Sequence, residues 1–209
     1  PVSTESHQQS TAFAQRFNIH KRSIIVAGST HAPEEEVLLD AYQRVLAQQP
    51  NSLLIIVPRH PQRFEDVYQI CLSSGLNCLR SSDAQPCNDT SQVLLVDEMG
   101  KLQALYGLAD IAFVGGSIAD RGGHNALEPA AFEVPILMGP HRYNNPAICQ
   151  ILTESGALFE GNDAAQISRQ ILTWFNDESA REYAGQAGKR VLKENSGAVN
   201  ATLVALGFA

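Results

Sequence analysis

The segment Val114–Ala131 carries the densest set of residues that could bind a ligand. Two glycine pairs, Gly115-Gly116 and Gly122-Gly123, let the backbone adopt positive φ angles and let a ligand approach the main chain. Asn125 and Glu128 are three residues apart at the start of the next predicted helix and therefore face the same way. Unpaired N–H groups in that first turn attract phosphate, and the carboxylate can accept hydrogen bonds from both ribose hydroxyls. The segment predicts a nucleotide site.

A structural interpretation of these residues stays open beside the functional one. An isolated glycine pair is often required only for packing, and a first-turn glutamate often only compensates the helix dipole. His124 could donate a proton, contact a phosphate or simply cap a turn. It is the continuous string from Gly122 to Pro129 that favours the binding interpretation.

Two basic or hydroxyl-bearing loops follow the first two predicted strands. The loop Gly28-Ser29-Thr30-His31 offers hydroxyls and amides to an anion, although these residue types also serve as ordinary helix caps. The loop Pro58–Arg63 brings two arginines and a histidine toward a negative ligand, with a solvated basic loop as the alternative.

The segment Asp97-Glu98-Met99-Gly100 follows another predicted strand. Main-chain groups of Met99 and Gly100 could meet the edge of a base, although the spacing alone favours a helix cap with acidic first-turn residues. We find no H-x-x-x-H pair and no cluster of carboxylates, so the sequence predicts no metal site. The four cysteines are unevenly spaced, which favours reduced thiols over a zinc ribbon or a disulfide scaffold.

Strand and helix patterns alternate along the chain and would place these loops on one edge of a sheet. The run Leu53–Val57 has no polar alternation, which is typical of a strand covered on both faces. Right-handed crossovers between such units predict an α/β fold with a Rossmann-like, doubly wound parallel sheet, which binds ligands at the carboxyl ends of its strands. The predicted strands are Ser23–Ala27, Leu53–Val57, Asn77–Arg80, Gln92–Val96, Ile111–Val114, Pro135–Met138 and Ala157–Phe159.

Length and composition limit the function classes. The 209 residues are 44% hydrophobic and 18% charged with a net charge of −7, which indicates one folded domain and argues against a nucleic-acid partner. No apolar stretch is long enough to cross a bilayer, so we expect this part of the protein to be soluble. We predict a lead-in helix over 1–22, the Rossmann-like domain over 23–195 and a C-terminal tail helix over 196–209.

The three motifs occur in an order that resembles the Kdo transferases of Gram-negative bacteria. The matching residues are Gly28–His31, Pro58–His60 with Arg63, and Gly115–Ser117 followed by Gly122–Pro129, within a span from about Ser23 to Asn145. These enzymes transfer 3-deoxy-D-manno-octulosonic acid (Kdo) from CMP-Kdo to the lipid A precursor. The resemblance implies one half of a GT-B glycosyltransferase, namely the C-terminal half that binds the donor.

The resemblance also assigns roles to individual residues. Glu128 and Asn125 would hold the ribose of CMP, while Arg59 and Met99 would border the cytosine. Arg63 is a weaker candidate for the donor's carboxylate. The residues expected at the donor nucleotide are Ser29, Thr30, His31, Arg59, His60, Met99, Gly100, Gly115, Gly116, Ser117, Gly122, Gly123, His124, Asn125 and Glu128.

Further expectations for the whole enzyme follow from the resemblance. The reaction would invert the anomeric centre and need neither a metal nor another cofactor. The general base, the acceptor site for the lipid A precursor and the membrane-associating segment would lie in a preceding N-terminal half, at the cytoplasmic side of the inner membrane. We therefore expect no catalytic residue in this chain, weak binding of CMP and no transfer activity.

Two other functions stay open on the sequence alone. UDP-sugar 2-epimerases and other GT-B transferases use a Gly-Gly loop and a ribose-binding glutamate on the same architecture, and fold does not choose the reaction. The chain could instead be a non-catalytic nucleotide-binding module that docks a partner, with the N-terminal helix bearing Phe13 and Phe17 as its contact surface.

Overall fold

The computed structural model of the chain describes residues 3–83 and 85–205. Its strands are β1 (Ser23–Thr30), β2 (Ser52–Pro58), β3 (Cys78–Arg80), β4 (Val93–Leu95), β5 (Ile111–Val114), β6 (Ile136–Met138) and β7 (Leu158–Glu160). Its helices are α1 (Thr4–Phe17), α2 (Glu34–Leu46), α3 (Phe64–Ser73), α4 (Leu102–Tyr106), α5 (Leu127–Ala130), α6 (Pro146–Glu154), α7 (Ala164–Asn176) and α8 (Glu178–Ala205). Short 3-10 turns occupy Pro61–Arg63 and Ser81–Asp83.

The seven strands form one parallel sheet in the order β3-β4-β2-β1-β5-β6-β7. The predicted α/β, doubly wound architecture is confirmed. Strand order reverses between β1 and β5, since the chain builds outward from β1 on one side and from β5 on the other. In sheets of this type the ends of the strands part at the reversal, and the crevice there is where ligands bind.

Both faces of the sheet are covered, because neighbouring residues of each strand enter different cores. In β1, Ile25 and Ala27 pack with α2, α3 and α7, whereas Ile24 and Val26 pack with α1 and α4. A third cluster joins β6 and β7 to α5, α6 and α8. Burial on two faces explains why the strands are uniformly apolar in sequence.

The N-terminal helix α1 belongs to the body of the domain. Ser3 caps it by accepting a hydrogen bond from the N–H of Ser6, and Asn18 ends it in the left-handed conformation. Phe13 and Phe17 are buried in the core shared with β1 and β2. The hypothesis that these two rings form a docking surface was therefore wrong.

Several predicted boundaries differ from the structure. The predicted loop starting at Gly28 is the last part of β1, which continues to Thr30 through an irregularity at which Ser29 adopts a φ of 55°. The helix predicted over 126–132 is the four-residue α5, since Pro129 allows little regular structure. Helix α8 passes residue 196 without a break and continues to Ala205, while residues 206–209 of the predicted tail lie outside the described residues. Among the described helices, none is both long and apolar enough to span a membrane.

Candidate functional site

A cavity of about 360 Å³ opens at the carboxyl ends of the central strands. It lies where the strand order reverses, and the end of β1 together with the segments that follow β2, β4 and β5 contributes to its wall. Such a crevice is the expected ligand site of an open α/β sheet. Its lining residues are Ser29, Val57, Pro58, Arg59, Glu98, Met99, Gly100, Lys101, Leu102, Tyr106, His124, Asn125 and Glu128.

Glu128 and Asn125 occupy one wall of this cavity, as the sequence predicts. The side-chain oxygen of Asn125 accepts a hydrogen bond from the N–H of Leu127 at 3.1 Å. The backbone carbonyl of Asn125 accepts one from the N–H of Glu128 at 3.3 Å. These first amides of α5 are thus engaged with Asn125, and the expectation that the start of this helix holds a phosphate was wrong for them. The carboxylate of Glu128 stays accessible from the cavity.

The surroundings of Glu128 change its acidity. The cavity wall excludes enough water to raise the pKa of the Glu128 carboxyl, while a hydrogen bond from Asn125 and the charge of Arg59 oppose that rise. Arg59 follows β2, and its N–H donates to the carbonyl of Thr30 at 3.1 Å. Within the part of the chain that the structure describes, its guanidinium forms no salt bridge. It is thus a cation available to an anionic ligand.

Another part of the cavity wall is suited to a flat apolar group. Met99 is 58% exposed, and Gly100 has a φ of 75° with open space where a side chain would stand. Leu102 and Tyr106 of α4 complete this wall. The approach of α4 depends on Gly28, since a Cβ there would come within 2.2 Å of the Tyr106 hydroxyl oxygen. This wall can receive the face of a base.

The buried carboxylate of Glu34 binds the loop that begins at the second glycine of the first pair, Gly116. The Oε1 of Glu34 accepts hydrogen bonds from the N–H groups of Ser117, Ile118 and Ala119, at 2.8, 2.9 and 3.3 Å. Its Oε2 accepts from the N–H groups of Gly116 and His31, both at 2.9 Å. Gly115, Gly116 and Ser117 were expected at the donor nucleotide, but the amides of Gly116 and Ser117 hold this buried carboxylate.

The second glycine pair packs against the loop after β6. A Cβ on Gly122 would come within 2.5 Å of Asn144 and Tyr143, and one on Gly123 within 2.7 Å of Met138. The side-chain N–H of Asn144 donates to the carbonyl of Gly123 at 3.1 Å. The pair therefore shapes the turn that carries His124, and it does not line the cavity.

Comparison with known proteins connects this geometry to a family. The matching family is described as glycosyl transferases group 1, over residues 20–191. The chain is 34% identical to the crystal structure of the C-terminal CMP-Kdo binding domain of WaaA from Acinetobacter baumannii, with a TM-score of 0.85, covering 91% of this chain and 99% of that one. The chain belongs to the Kdo transferases of glycosyl transferase group 1. The predicted resemblance, including the Rossmann-like half of a GT-B enzyme, is confirmed.

Two curated relatives show what share of a longer protein this chain matches. It is 42% identical over 183 residues to the 3-deoxy-D-manno-octulosonic acid transferase of Haemophilus influenzae, covering 87% of this chain and 43% of that protein. It is 34% identical over 168 residues to a bifunctional glycosyltransferase/methyltransferase of Fusobacterium nucleatum, covering 79% and 26%. The chain thus spans less than half the length of these relatives.

Three histidines of the Kdo transferase domain form a cluster beside the cavity, here called the histidine cluster: His31, His60 and His124. The rings of His31 and His124 are nearly parallel with their centroids 5.2 Å apart, and His60 meets His31 edge-on at 5.3 Å. Gly116 makes room for the cluster, because a Cβ there would be 3.1 Å from the His124 ring. Of the three, His124 lines the cavity, whereas His60 and His31, which contacts both of the other rings, do not line it.

Two expected ligand contacts are unavailable in this domain. Arg63 forms a bidentate pair with the buried carboxylate of Glu35, with Nη1 2.6 Å from Oε1 and Nη2 3.1 Å from Oε2. Arg63 is therefore committed to a partner within the chain and is not free for a donor carboxylate. Thr30 is completely buried and does not line the cavity.

Sequence reasoning missed the apolar and acidic parts of the wall. Tyr106 and Leu102 have the spacing of a helix that faces the core, which is where a pattern alone assigns them. Glu98 pairs with Arg16 at 3.1 Å, a contact from α1 that no local motif reveals. The positions missed are Val57, Lys101, Leu102 and Tyr106, while Pro58 and Glu98 lie in segments that the sequence analysis named without assigning them a ligand contact.

Proposed function

We propose that this domain binds CMP-Kdo as the donor half of a Kdo transferase. The observation that carries the proposal is that Glu128, Asn125, Arg59 and Met99 share one cavity where the strand order reverses. The sequence motifs assign each of these residues to the donor nucleotide independently of the cavity. The similarity to the Acinetobacter baumannii domain, which is described as a CMP-Kdo binding domain, supports the same ligand.

The cavity offers a different kind of contact to each part of CMP. The cytosine lies against the part of the wall formed by Met99 and Gly100, and Arg59 borders the cytosine. The ribose hydroxyls donate hydrogen bonds to the carboxylate oxygens of Glu128, which are accessible from the cavity. The phosphate lies between Ser29, Arg59 and His124, where a free guanidinium offsets its negative charge.

In the whole enzyme the reaction is transfer of Kdo to the lipid A precursor with inversion. A base in the N-terminal half takes the proton of the acceptor hydroxyl, whose oxygen bonds to the anomeric carbon while the bond to the phosphate oxygen breaks. CMP leaves with the electron pair, and Arg59 with His124 stabilises the charge that develops on it. We include in the proposal that no metal is needed and that the enzyme works at the cytoplasmic side of the inner membrane, which it contacts through the N-terminal half.

The binding of CMP tests the ribose assignment directly. Titration of CMP followed by calorimetry or NMR should show weak, saturable binding, and Glu128→Ala should weaken it by about tenfold or more, since hydrogen bonds to a charged group are lost. The control Glu182→Ala removes an exposed glutamate of α8 outside the cavity and should bind CMP as the wild type does.

Two results would contradict the proposal. Equal affinity of the wild type and Glu128→Ala for CMP would remove the ribose assignment. A preference for UMP or UDP over CMP would indicate a UDP-sugar enzyme on the same fold. The domain alone should transfer no Kdo, and transfer by it would show that the base is inside this chain.

A further inference from the structure

The histidine cluster brings together three imidazoles from segments that follow three different strands. His31 follows β1, His60 follows β2 and His124 lies in the loop after β5. The Nε2 atoms of His31 and His124 are 2.9 Å apart, and the planes of these two rings differ by only 9°. Because the cluster includes His124, it is continuous with the cavity wall and sits at the end assigned to the phosphate.

The contact between the two Nε2 atoms limits the number of protons they hold. A hydrogen bond between them needs one N–H and one lone pair, so the pair carries one proton on these atoms. A second proton would place two N–H groups against each other. The His31–His124 pair can accept that proton only if the rings separate and an anion takes the place of the contact.

The charged surroundings agree with this limit. Burial lowers the pKa of His31 to about 4, with His124, His60 and Arg63 adding to the effect and Glu35 opposing it. The pKa of His124 is also lowered, first by burial and then by the nearby charges of Arg59 and His60. Without a ligand, the His31–His124 pair is therefore uncharged at neutral pH.

The donor has a second anion that needs a partner at this place. In CMP-Kdo the carboxylate is attached to the same carbon that bears the phosphoester, so the two anions lie side by side. Arg63 is held by Glu35 and cannot meet this carboxylate. The histidine cluster adjoins the phosphate end of the cavity through His124, and His31 and His124 are only half-buried.

We propose that His31, with His60 and His124, receives the sugar-acid carboxylate of the donor and takes up one proton as that carboxylate binds. The inference rests on the proposed function and deepens it. The proton comes from solvent and binds the lone pair that accepts the hydrogen bond between His31 and His124, so this bond breaks. Both rings then carry an Nε2–H group that can donate to the carboxylate. Affinity for the donor then falls as the pH rises, by about tenfold per unit for one linked proton.

Calorimetry with two ligands separates the carboxylate from the rest of the donor. The ligands are freshly prepared CMP-Kdo and cytidine 5′-(methyl phosphate), a phosphodiester of the same nucleotide without the sugar acid. Titrations at pH 6.5 in two buffers of different ionisation enthalpy give the number of protons taken up, and neither ligand titrates near this pH. We expect close to one proton for CMP-Kdo and close to none for the methyl ester.

Variants assign that proton to the cluster. His31→Gln should abolish the uptake and weaken CMP-Kdo by about tenfold while changing the methyl ester by less than about twofold. The control His20→Gln, at an exposed histidine outside the cluster, should leave both ligands unchanged. Equal proton uptake by the two ligands, or equal weakening of both by His31→Gln, overturns the inference while the nucleotide site stands. Failure of both ligands to bind overturns the proposed function together with the inference.

Discussion

Two consecutive glutamates at the start of α2 hold different loops of the site. Glu34 binds five main-chain N–H groups from the loops after β1 and β5, and Glu35 binds the Arg63 guanidinium after β2. Burial raises the pKa of the Glu34 carboxyl, and the amides it contacts oppose that rise. Since both oxygens face donors, the ionised form is the one that fits. Single residues thus fix the positions of three loops.

Replacing Glu34 tests this at the residue scale. Glu34→Gln turns an amide N–H₂ toward backbone N–H groups and leaves buried donors unpaired. The free energy of unfolding should fall by about 2 kcal/mol in urea titrations. Glu36→Gln, at the exposed neighbouring position, is the matched control and should change it by less than about 0.5 kcal/mol. Equal stability of the two variants would mean that the amides are satisfied without Glu34.

At the scale of elements, α8 closes the domain over β6 and β7 by a very close approach to one turn. A Cβ on Gly185 would come within 1.8 Å of the carbonyl oxygen of Glu133, a residue with a φ of 59° in the turn after α5. One turn further along α8, Gly188 is less confined, with the Cβ of Ala130 at 3.3 Å from the added atom. Of these two glycines, only Gly185 has a backbone atom in the space that a Cβ would occupy.

Replacement of each of these two glycines by alanine should therefore change the free energy of unfolding by different amounts. Gly185→Ala should lower the free energy of unfolding by about 2 kcal/mol, because backbone must move to admit the methyl group. Gly188→Ala should stay within about 1 kcal/mol of the wild type, since the gain in helix propensity offsets the tighter contact. Chemical denaturation measures both. Similar losses in both variants would show that α8 does not depend on the close approach at Gly185.

The elements themselves were largely predictable from the sequence. The uniformly apolar run Leu53–Val57 predicted a strand covered on both faces, and it is the buried β2. The end of β1 was not predictable, because Gly28–Thr30 has the residue types of a loop although β2 pairs with it. The short length of α5 was missed as well, because the apolar pattern continues to residue 132 although Pro129 lies within the helix.

The site was predictable where one local string carries the chemistry and not where distant residues meet. Glu128, Asn125 and Arg59 lie in the cavity as predicted. Glu34 looks like any first-turn glutamate in sequence, and its partners at 116–119 are more than 80 residues away. The salt bridge that occupies Arg63 was missed for the same reason, since its partner Glu35 precedes it by 28 residues.

At the scale of the whole molecule, the cavity joins the two halves of the sheet. Its walls come from β2 and β4 on one side of the strand reversal and from β5 on the other. A ligand there contacts both halves, so binding and global unfolding should be coupled. CMP at a hundredfold excess over its Kd should stabilise the native state by about 2.7 kcal/mol.

This coupling predicts a thermal shift of the entire domain. For a chain of 209 residues the stabilisation corresponds to an increase in Tm of roughly 5–10 °C, measured by calorimetry as one transition. Glu128→Ala should show a smaller shift at the same CMP concentration, because less of it is bound. A second transition that CMP leaves unmoved would indicate that part of the domain unfolds independently of the cavity.

The bonds of Glu34 have a consequence for how the family can diversify. Its partners are main-chain N–H groups, which every amino acid except proline provides. Positions 116–119 can therefore exchange side chains during evolution without losing the attachment of the loop, so far as Glu34 is concerned. The carboxylate has no such freedom. Selection should accordingly conserve the acid at position 34 and exclude proline from positions 116–119, while Gly116 is kept for its positive φ and for the room it leaves to His124.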